Sequence, residues 1–359
     1  MNAPRGATRL KTQNYGFLTK TRCLLTLAVA LILVACGDQS TDESVLFFQK
    51  ANFSARQGEP REAIRLYTEA IEKKPDFADA YNNRGLTHQK LGDLENAIAD
   101  FNRALELEPE YWEAYYNRAQ ALADGGRYRE SLADLARLPN TYRDSAYVLI
   151  STANVKSHLG DKAGALTDYN LALMKNPASA EALINRGYLF FGEKRFAQAG
   201  EDFRKALQLD PSQHTAFNNL ALIEAQNGNY ARALQLVDRA IALKAGESTY
   251  LNNRGYFLLK LDRLTDGKAA IESALRLNDT NAWAWRNRGV YYLLNGDASA
   301  ALTDLKKAET LDPSVESLYV YLGEAHRLAK NPTEACRAFR KAEQLGDPTV
   351  TPQMLNGCP

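Results

Sequence analysis

The stretch YNNRGLTHQKLGDLENAIADFNRALELEPE at residues 81–110 has the pattern of two short helices joined by a turn. The small residues Gly85 and Ala97 let two antiparallel helices approach closely, and the bulky Phe101 fills the groove between them. Pro109 ends the second helix because proline has no backbone N–H with which to continue the hydrogen-bond ladder. The stretch therefore predicts a helical hairpin.

This pattern recurs every 34 residues from residue 44 to residue 349 without an insertion, which gives nine rows. Aligned positions in the rows are called columns 1–34 below. Column 8 is Ala or Gly in all nine rows, column 20 is Ala, Ser or Gly, and column 24 is apolar or aromatic throughout. The rows begin at Ser44, Ala78, Trp112, Ala146, Ala180, His214, Ser248, Ala282 and Glu316. Because a single hairpin cannot bury its apolar faces alone, neighbouring rows are expected to stack into a solenoid.

The row pattern resembles the tetratricopeptide repeat, and the resemblance covers residues 44–349. It implies an all-α, right-handed superhelical solenoid of about nine 34-residue hairpins. The first helix of each hairpin then lines a concave groove, with columns 2, 5, 6, 9, 12 and 13 pointing inward. The resemblance also implies that other proteins bind in this groove as peptides or helices.

Two charged columns predict ion pairs inside single hairpins. Column 7 is often Arg and column 23 is often Asp, and four rows carry both. Pairing column 23 with column 7 of the next row gives only two matches, so the within-row pairing is favoured. The predicted structural pairs are Arg84 with Asp100, Arg118 with Asp134, Arg186 with Asp202, and Arg288 with Asp304.

The third row is irregular after Leu138. Pro139 falls inside its expected second helix, and no proline closes the row, although the fourth row resumes in register. Residues 138–145 are therefore the candidate kink, either as a functional hinge or as a merely degenerate repeat.

The N-terminus has the pattern of a targeting segment. Residues 1–22 hold five basic and no acidic residues, and the apolar stretch 23–35 is too short to span a membrane as a helix. The sequence Leu33-Val34-Ala35-Cys36 resembles the lipobox of bacterial lipoproteins, which implies removal of residues 1–35 and lipidation of Cys36. A lipid anchor, a short linker at 36–43 and the outer membrane facing the periplasm are the expectation. A plain secretory peptide or a signal anchor with a chance cysteine is the alternative.

Charge disfavours nucleic acid as the partner. The whole chain has 44 basic and 43 acidic residues, for a net charge of +1. Removing residues 1–35 leaves 39 basic against 43 acidic residues, for a net charge of −4. We therefore expect no nucleic-acid binding, and membrane association only through the N-terminal lipid.

Two cysteines remain beyond the targeting segment. In an oxidising compartment Cys336 and Cys358 are expected to form a disulfide, and two free thiols are the alternative. The bond would fold the tail 350–359 over the final hairpin as a cap, because an end repeat otherwise exposes an apolar face.

Catalytic and cofactor chemistry is not predicted. The four histidines lie in four different rows without metal-ligand spacing, and no CxxC, HExxH, GxSxG, GxGxxG or phosphate-loop pattern occurs. We expect no catalytic residue, no metal and no cofactor. The histidines are His88, His158, His214 and His326.

Column 6 and the aromatic columns are the candidate binding residues. The amides of column 6 offer donors and acceptors to a peptide backbone, although they can equally belong to the scaffold. Inward aromatic residues concentrate in rows five to eight, where we expect most ligand contacts unless the rings pack between repeats. The candidate residues are Asn83, Asn117, Asn185, Asn219, Asn253, Asn287, Tyr188, Phe191, Tyr256 and Trp283.

These features together predict a lipid-anchored scaffold or adaptor of the bacterial cell envelope, which binds protein partners in its groove and is not an enzyme. Two alternatives remain at this point: a groove-based glycan-binding or enzymatic factor, and a passive structural spacer.

Overall fold

The computed structural model of the chain describes residues 42–358, which form twenty α-helices and no strand. Cys36 and the rest of the predicted targeting segment lie outside this range. The helices are α1 (Glu43–Gln57), α2 (Pro60–Lys73), α3 (Ala78–Lys90), α4 (Leu94–Leu107), α5 (Trp112–Asp124), α6 (Tyr128–Arg137), α7 (Asn140–Arg143), α8 (Ala146–His158), α9 (Lys162–Lys175), α10 (Ala180–Gly192), α11 (Phe196–Leu209), α12 (His214–Gln226), α13 (Tyr230–Leu243), α14 (Ser248–Lys260), α15 (Leu264–Leu277), α16 (Ala282–Leu294), α17 (Ala298–Leu311), α18 (Leu318–Leu328), α19 (Pro332–Gln344) and α20 (Pro352–Leu355).

The helices pair into nine consecutive hairpins, one for each row, and each hairpin packs against the next. The all-α solenoid predicted from the row pattern is therefore the observed architecture. The apolar core runs along the whole stack as a chain of clusters, because the second helix of one hairpin packs on the first helix of the next.

Close approach within a hairpin depends on the small residue in column 8. At Gly187 an added Cβ would lie 2.7 Å from the ring of Phe203 in column 24, which is closer than side-chain atoms can approach. Phe203 itself is fully buried. The complementary sizes of columns 8 and 24 thus set the spacing between the two helices.

The third hairpin has a shortened second helix. Helix α6 ends at Arg137, Pro139 starts the one-turn helix α7, and α8 packs directly on α6. Tyr142 on α7 donates a hydrogen bond of 2.7 Å to the carboxylate of Glu113 on α5. The irregular segment is therefore tied to its own hairpin, while a hinge function for it stays a prediction.

The C-terminal tail folds back over the last hairpin. Cys336 on α19 is bonded to Cys358, with their Cα atoms 5.4 Å apart. Val350 and Met354 pack against the apolar cluster formed by α16, α17, α18 and α19. The tail thus covers the apolar end of the stack, as expected of a cap.

None of the helices between residues 42 and 358 has the length and apolarity that crossing a membrane requires.

Candidate functional site

A cavity of about 640 Å³ opens on the concave side of the solenoid in rows three to five. Three successive first helices, α5, α8 and α10, supply most of its wall through columns 6, 9, 10, 12 and 13. The lining residues are Gln120, Ala123, Asp124, Tyr128, Ser151, Asn154, Val155, Ser157, His158, Lys162, Tyr169, Asn185, Tyr188, Leu189 and Gly192. Residues with small side chains, such as Ala123 and Gly192, leave the space open.

The cavity wall combines amides, hydroxyls and aromatic rings. Asn154 accepts a hydrogen bond of 3.0 Å from Asn185 and another from the Tyr169 hydroxyl. Burial raises the pKa of Tyr169 above its ordinary value, and the hydroxyl is a hydrogen-bond donor at neutral pH. The rings of Tyr128 and His158 stack in parallel with centroids 4.5 Å apart. Such a wall suits neutral and polar chain segments, which hydrogen-bond and stack at once.

The four candidate aromatic residues fall into two groups. Tyr188 and Trp283 are 42% and 40% exposed and are accessible to a ligand. Phe191 and Tyr256 are half-buried and pack against the apolar cluster of rows five to seven. Phe191 and Tyr256 therefore contribute at least part of their rings to packing between hairpins, and a ligand contact of any of the four rings stays a prediction.

The asparagine ladder connects neighbouring hairpins. The Nδ2 atoms of Asn117, Asn253 and Asn287 donate to column 5 of the preceding row, at 2.8–3.0 Å. Where column 5 is apolar or aromatic, as before Asn83 and Asn185, the acceptor is an asparagine in column 9 of the preceding row. Each of these amides uses one N–H between hairpins, and its second N–H is a further donor, so the expected contacts to a ligand backbone stay a prediction.

Asn219 shows what the ladder requires. Row five offers Ile184 in column 5 and Tyr188 in column 9, and the Asn219 amide nitrogen is buried without a hydrogen-bond partner. Asn219 and Asn287 are only 5% and 2% exposed. Both side chains are therefore part of the packed scaffold rather than the accessible groove.

The four expected ion pairs are in contact within their own hairpins. The Arg–Asp nitrogen–oxygen distances are 2.6–2.7 Å, and the Asp side chains are 3–8% exposed. The Asp304 carboxylate raises the pKa of the Arg288 guanidinium. These pairs lie between helices and away from the cavity, so their role is structural.

These arginines make a further contact that was not predicted from the sequence. Nη1 of Arg84, Arg118 and Arg186 donates to column 25 of the preceding row, at 2.7–2.9 Å. Row seven has Ala270 in column 23, so Arg254 has no Asp in that column of its own hairpin. Arg254 instead donates a hydrogen bond of 2.8 Å to Asp238, which occupies column 25 of row six. The signal was present, since column 25 holds Thr68, Asn102, Asn170 and Asp238, all of which carry an acceptor.

The cavity and the aromatic columns lie in different parts of the array. Aromatic content pointed to rows five to eight, whereas the cavity occupies rows three to five. Small and polar residues in columns 9, 12 and 13 create it, and this pattern is weaker in sequence than a run of rings. Across residues 42–358, no three His, Cys, Asp or Glu side chains are grouped to hold a metal ion.

Family models of the tetratricopeptide repeat match most of the array. They cover residues 78–111 and 180–213, residues 101–133, and residues 201–248 and 252–316, and a further TPR repeat model covers residues 55–92. Together the matches span more than half of the chain.

The sequence relatives are longer proteins with similar repeats. Human superkiller complex protein 3 is 28% identical over 246 residues, which cover 64% of this chain but 15% of that protein. Human tetratricopeptide repeat protein 6 is 28% identical over 158 residues, which cover 44% of this chain and 30% of that protein. This chain therefore matches less than a third of the length of either relative.

Solved structures show the same fold. A tetratricopeptide repeat protein from Parabacteroides merdae matches 69% of this chain and 98% of its own, with a TM-score of 0.54 and 23% identity. The anaphase-promoting complex assembly Cut9–Hcn1 matches 87% of this chain and 75% of its own, with a TM-score of 0.60 and 15% identity.

Tetratricopeptide repeat proteins act as scaffolds for protein–protein interaction. With nine stacked hairpins, the small-and-large residue columns and matching repeat models along most of the array, this chain belongs to the tetratricopeptide repeat family.

Proposed function

We propose that this chain is a non-enzymatic adaptor, anchored by a lipid at the bacterial cell envelope, that binds a segment of a partner protein in its concave groove. One observation carries the binding half of the proposal, namely the cavity of about 640 Å³ built by three successive first helices. Its size is in the range of ligand-binding clefts.

The chemistry of the wall favours a peptide segment as the ligand. Amide groups of Gln120, Asn154 and Asn185 border the cavity, and the exposed ring of Tyr188 lies beside them. Polar groups of this kind can pair with backbone amides, while the ring covers an apolar side chain. Because the wall extends over three hairpins, a bound segment would run along the solenoid rather than insert at a point.

A blocking substitution tests the binding site. Gly192 lines the cavity, and an added Cβ meets no atom within 4 Å there, so Gly192→Trp fills the cavity without a clash at the backbone. The matched control is Met174→Trp, because Met174 is 77% exposed on the second helix α9 and does not line the cavity.

The readout is photo-crosslinking from p-benzoylphenylalanine placed at Tyr188 in cells of the source organism. We expect a small set of crosslinked proteins that is retained with Met174→Trp and lost with Gly192→Trp. Equal crosslinking in both variants would place the contacts outside this cavity and overturn the groove assignment.

The anchoring half rests on the lipobox-like sequence ending at Cys36. Diacylglycerol together with an N-acyl chain supplies the two or more signals that stable anchoring requires. Metabolic labelling with an alkynyl fatty acid should label the wild-type chain and not Cys36→Ser. A wild-type chain that stays unlabelled, or whose N-terminus is not Cys36, would contradict the anchor.

A further inference from the structure

The N-terminal end of the solenoid exposes a face that the later hairpins bury. In rows two to nine the residues of columns 3 and 10 are buried, apart from the half-buried Tyr291, because the second helix of the preceding hairpin lies against them. Ala80 in column 3, for example, packs with Ala70 of α2. Row one has Leu46 and Phe53 in these two columns, and they are 40% and 62% exposed. The first hairpin therefore presents an unpaired stacking surface, called the end face below.

The end face combines apolar and basic side chains. A groove of about 550 Å³ runs between α1 and α2, and Leu46 and Phe53 line it together with Lys50 and Arg65. Arg65 is paired with Glu62, which leaves a single net positive charge, that of Lys50, among the lining residues. Long basic side chains cover apolar surface with their stems and keep their charged ends hydrated. Such a composition is typical of helices that lie at the surface of a bilayer.

The two ends of the stack differ in what covers them. At the C-terminal end the tail packs on the last hairpin through Val350 and Met354. At the N-terminal end α1 is the first helix of the described residues, and only residues 37–41 separate Cys36 from Asp42. These five residues, GDQST, are too few and too polar to supply another packed helix. A cover for the end face therefore comes from another molecule.

The predicted lipid at Cys36 determines which molecule is nearest. Cys36 and Asp42 are six residues apart, which an extended chain spans in at most about 21 Å, and α1 begins at the next residue. Leu46 lies in the first turn of α1, and Phe53 is about 10 Å further along the helix. A bilayer that holds the lipid is thus within reach of the end face. Transfer of these exposed side chains from water to the apolar boundary is favourable.

We propose that the end face of the solenoid, with Leu46 and Phe53, rests on the bilayer that holds the Cys36 lipid, so that the membrane takes the place of a preceding hairpin. This inference rests on the anchoring half of the proposed function, because the lipid brings the end face to the bilayer. It replaces the expectation that the lipid alone contacts the membrane. It also orients the solenoid, with the first hairpin on the bilayer and the later hairpins farther from it.

The test places a fluorescent probe in the end face. Phe53→Trp exchanges one exposed ring for another, and the control Met174→Trp puts the same indole on the exposed side of α9 in row four. The lipidated full chain is purified from membranes in detergent and reconstituted into phosphatidylcholine liposomes, with and without bromine on the acyl chains. The wild-type spectrum is subtracted, because the chain has three native tryptophans.

We expect the indole of Phe53→Trp to emit at shorter wavelength in liposomes than in detergent and to lose intensity in brominated lipid. The indole of Met174→Trp should show neither change. Equal behaviour of the two variants overturns this inference and leaves the lipid anchor intact. A blue shift of Phe53→Trp in detergent that grows with protein concentration would indicate that a second copy covers the end face, which overturns the inference as well.

A measurement on wild type avoids any dependence on the variants' folding. A phospholipid with a diazirine in its acyl chain reacts under light with side chains that reach the hydrocarbon, and mass spectrometry maps the labelled peptides. We expect labels in α1 and none in α9. A lipidated chain without labels in α1 refutes this inference alone, whereas a chain whose Cys36 carries no lipid refutes the anchoring half of the proposed function and this inference with it.

Discussion

The Arg186 guanidinium donates from Nε and Nη2 to both carboxylate oxygens of Asp202, at 2.8 and 2.7 Å, across the two helices of the fifth hairpin. Its third nitrogen, Nη1, donates to Asn170 in the preceding hairpin at 2.7 Å. One side chain therefore ties a hairpin together and joins it to its neighbour. The same arrangement occurs at Arg84 and Arg118.

Loss of one carboxylate from such a pair should be strongly destabilising. Asp202 has a side chain 3% exposed, so Asp202→Ala leaves the Arg186 charge without its anion in a largely buried place. We expect a loss of about 3 kcal/mol in the free energy of unfolding, measured by urea denaturation.

The control is a pair of the same chemistry near the surface. Asp238 pairs with Arg254, and its side chain is 48% exposed. Asp238→Ala should cost less than about 1 kcal/mol, because solvent screens exposed pairs. Equal losses for the two variants would show that burial does not determine the contribution of these pairs.

The asparagine ladder should contribute to stability where its donor is used. Asn253→Leu removes the donor to Asn218, whose side chain is buried, and should cost about 1–2 kcal/mol because an acceptor is left unpaired. Asn219→Leu should be neutral or stabilising, since the Asn219 amide nitrogen is already buried without a partner. Thermal denaturation of both variants checks the contrast, and the reverse order of stabilities would refute the scaffold role of the ladder.

Reduction of the disulfide should weaken the C-terminal end of the solenoid. The bond between Cys336 and Cys358 closes a loop with a sequence separation of 22. Loss of a cross-link of this length costs about 3 kcal/mol in the chain-entropy description. Hydrogen exchange with and without reductant should show faster exchange in α18, α19 and the tail, with the first hairpins unchanged. Intact mass should rise by two hydrogens on reduction, and a mass that stays the same would exclude the bond.

His326 should make the last hairpin less stable in mild acid. Burial, followed by the charge of Lys306, lowers the pKa of His326 below its ordinary value of 6.5. The unfolded chain then takes up the proton before the folded chain does, so stability is retained at pH 7 and falls as the pH decreases through 6.5. His326→Gln should reduce the loss of stability between about pH 7 and pH 5. An NMR titration that places the His326 pKa at or above 6.5 in the folded chain would contradict this.

The fold could be predicted from the sequence because its determinants are local and repeated. The sizes of Gly187 and Phe203 recur in the same columns of the other rows, so one hairpin predicts all of them. The partners within a hairpin also follow from one fixed separation, and Arg186 and Asp202 are such a pair. These relationships depend on the distance along the chain alone.

The candidate site could be predicted only in part. Columns facing the groove followed from the family resemblance, yet exposure separated Tyr188 and Trp283 from Phe191 and Tyr256. Each of these rings lies in an inward column, and neighbouring hairpins decide how much of it remains accessible. The sequence of one row does not show how far its neighbours cover these rings.

By itself the sequence determined the number of hairpins, their helical class, the Arg–Asp pairs inside four of the hairpins and the absence of known catalytic motifs. The tertiary structure decided which groups remain available once the hairpins stack. Stacking brings Asn117 against Asn82 and uses one N–H of its amide, and it leaves Leu46 and Phe53 exposed at the end of the stack. Contacts between hairpins join residues that are about one repeat apart in the chain. A single substitution in one column therefore decides whether a donor in one hairpin meets an acceptor in the next.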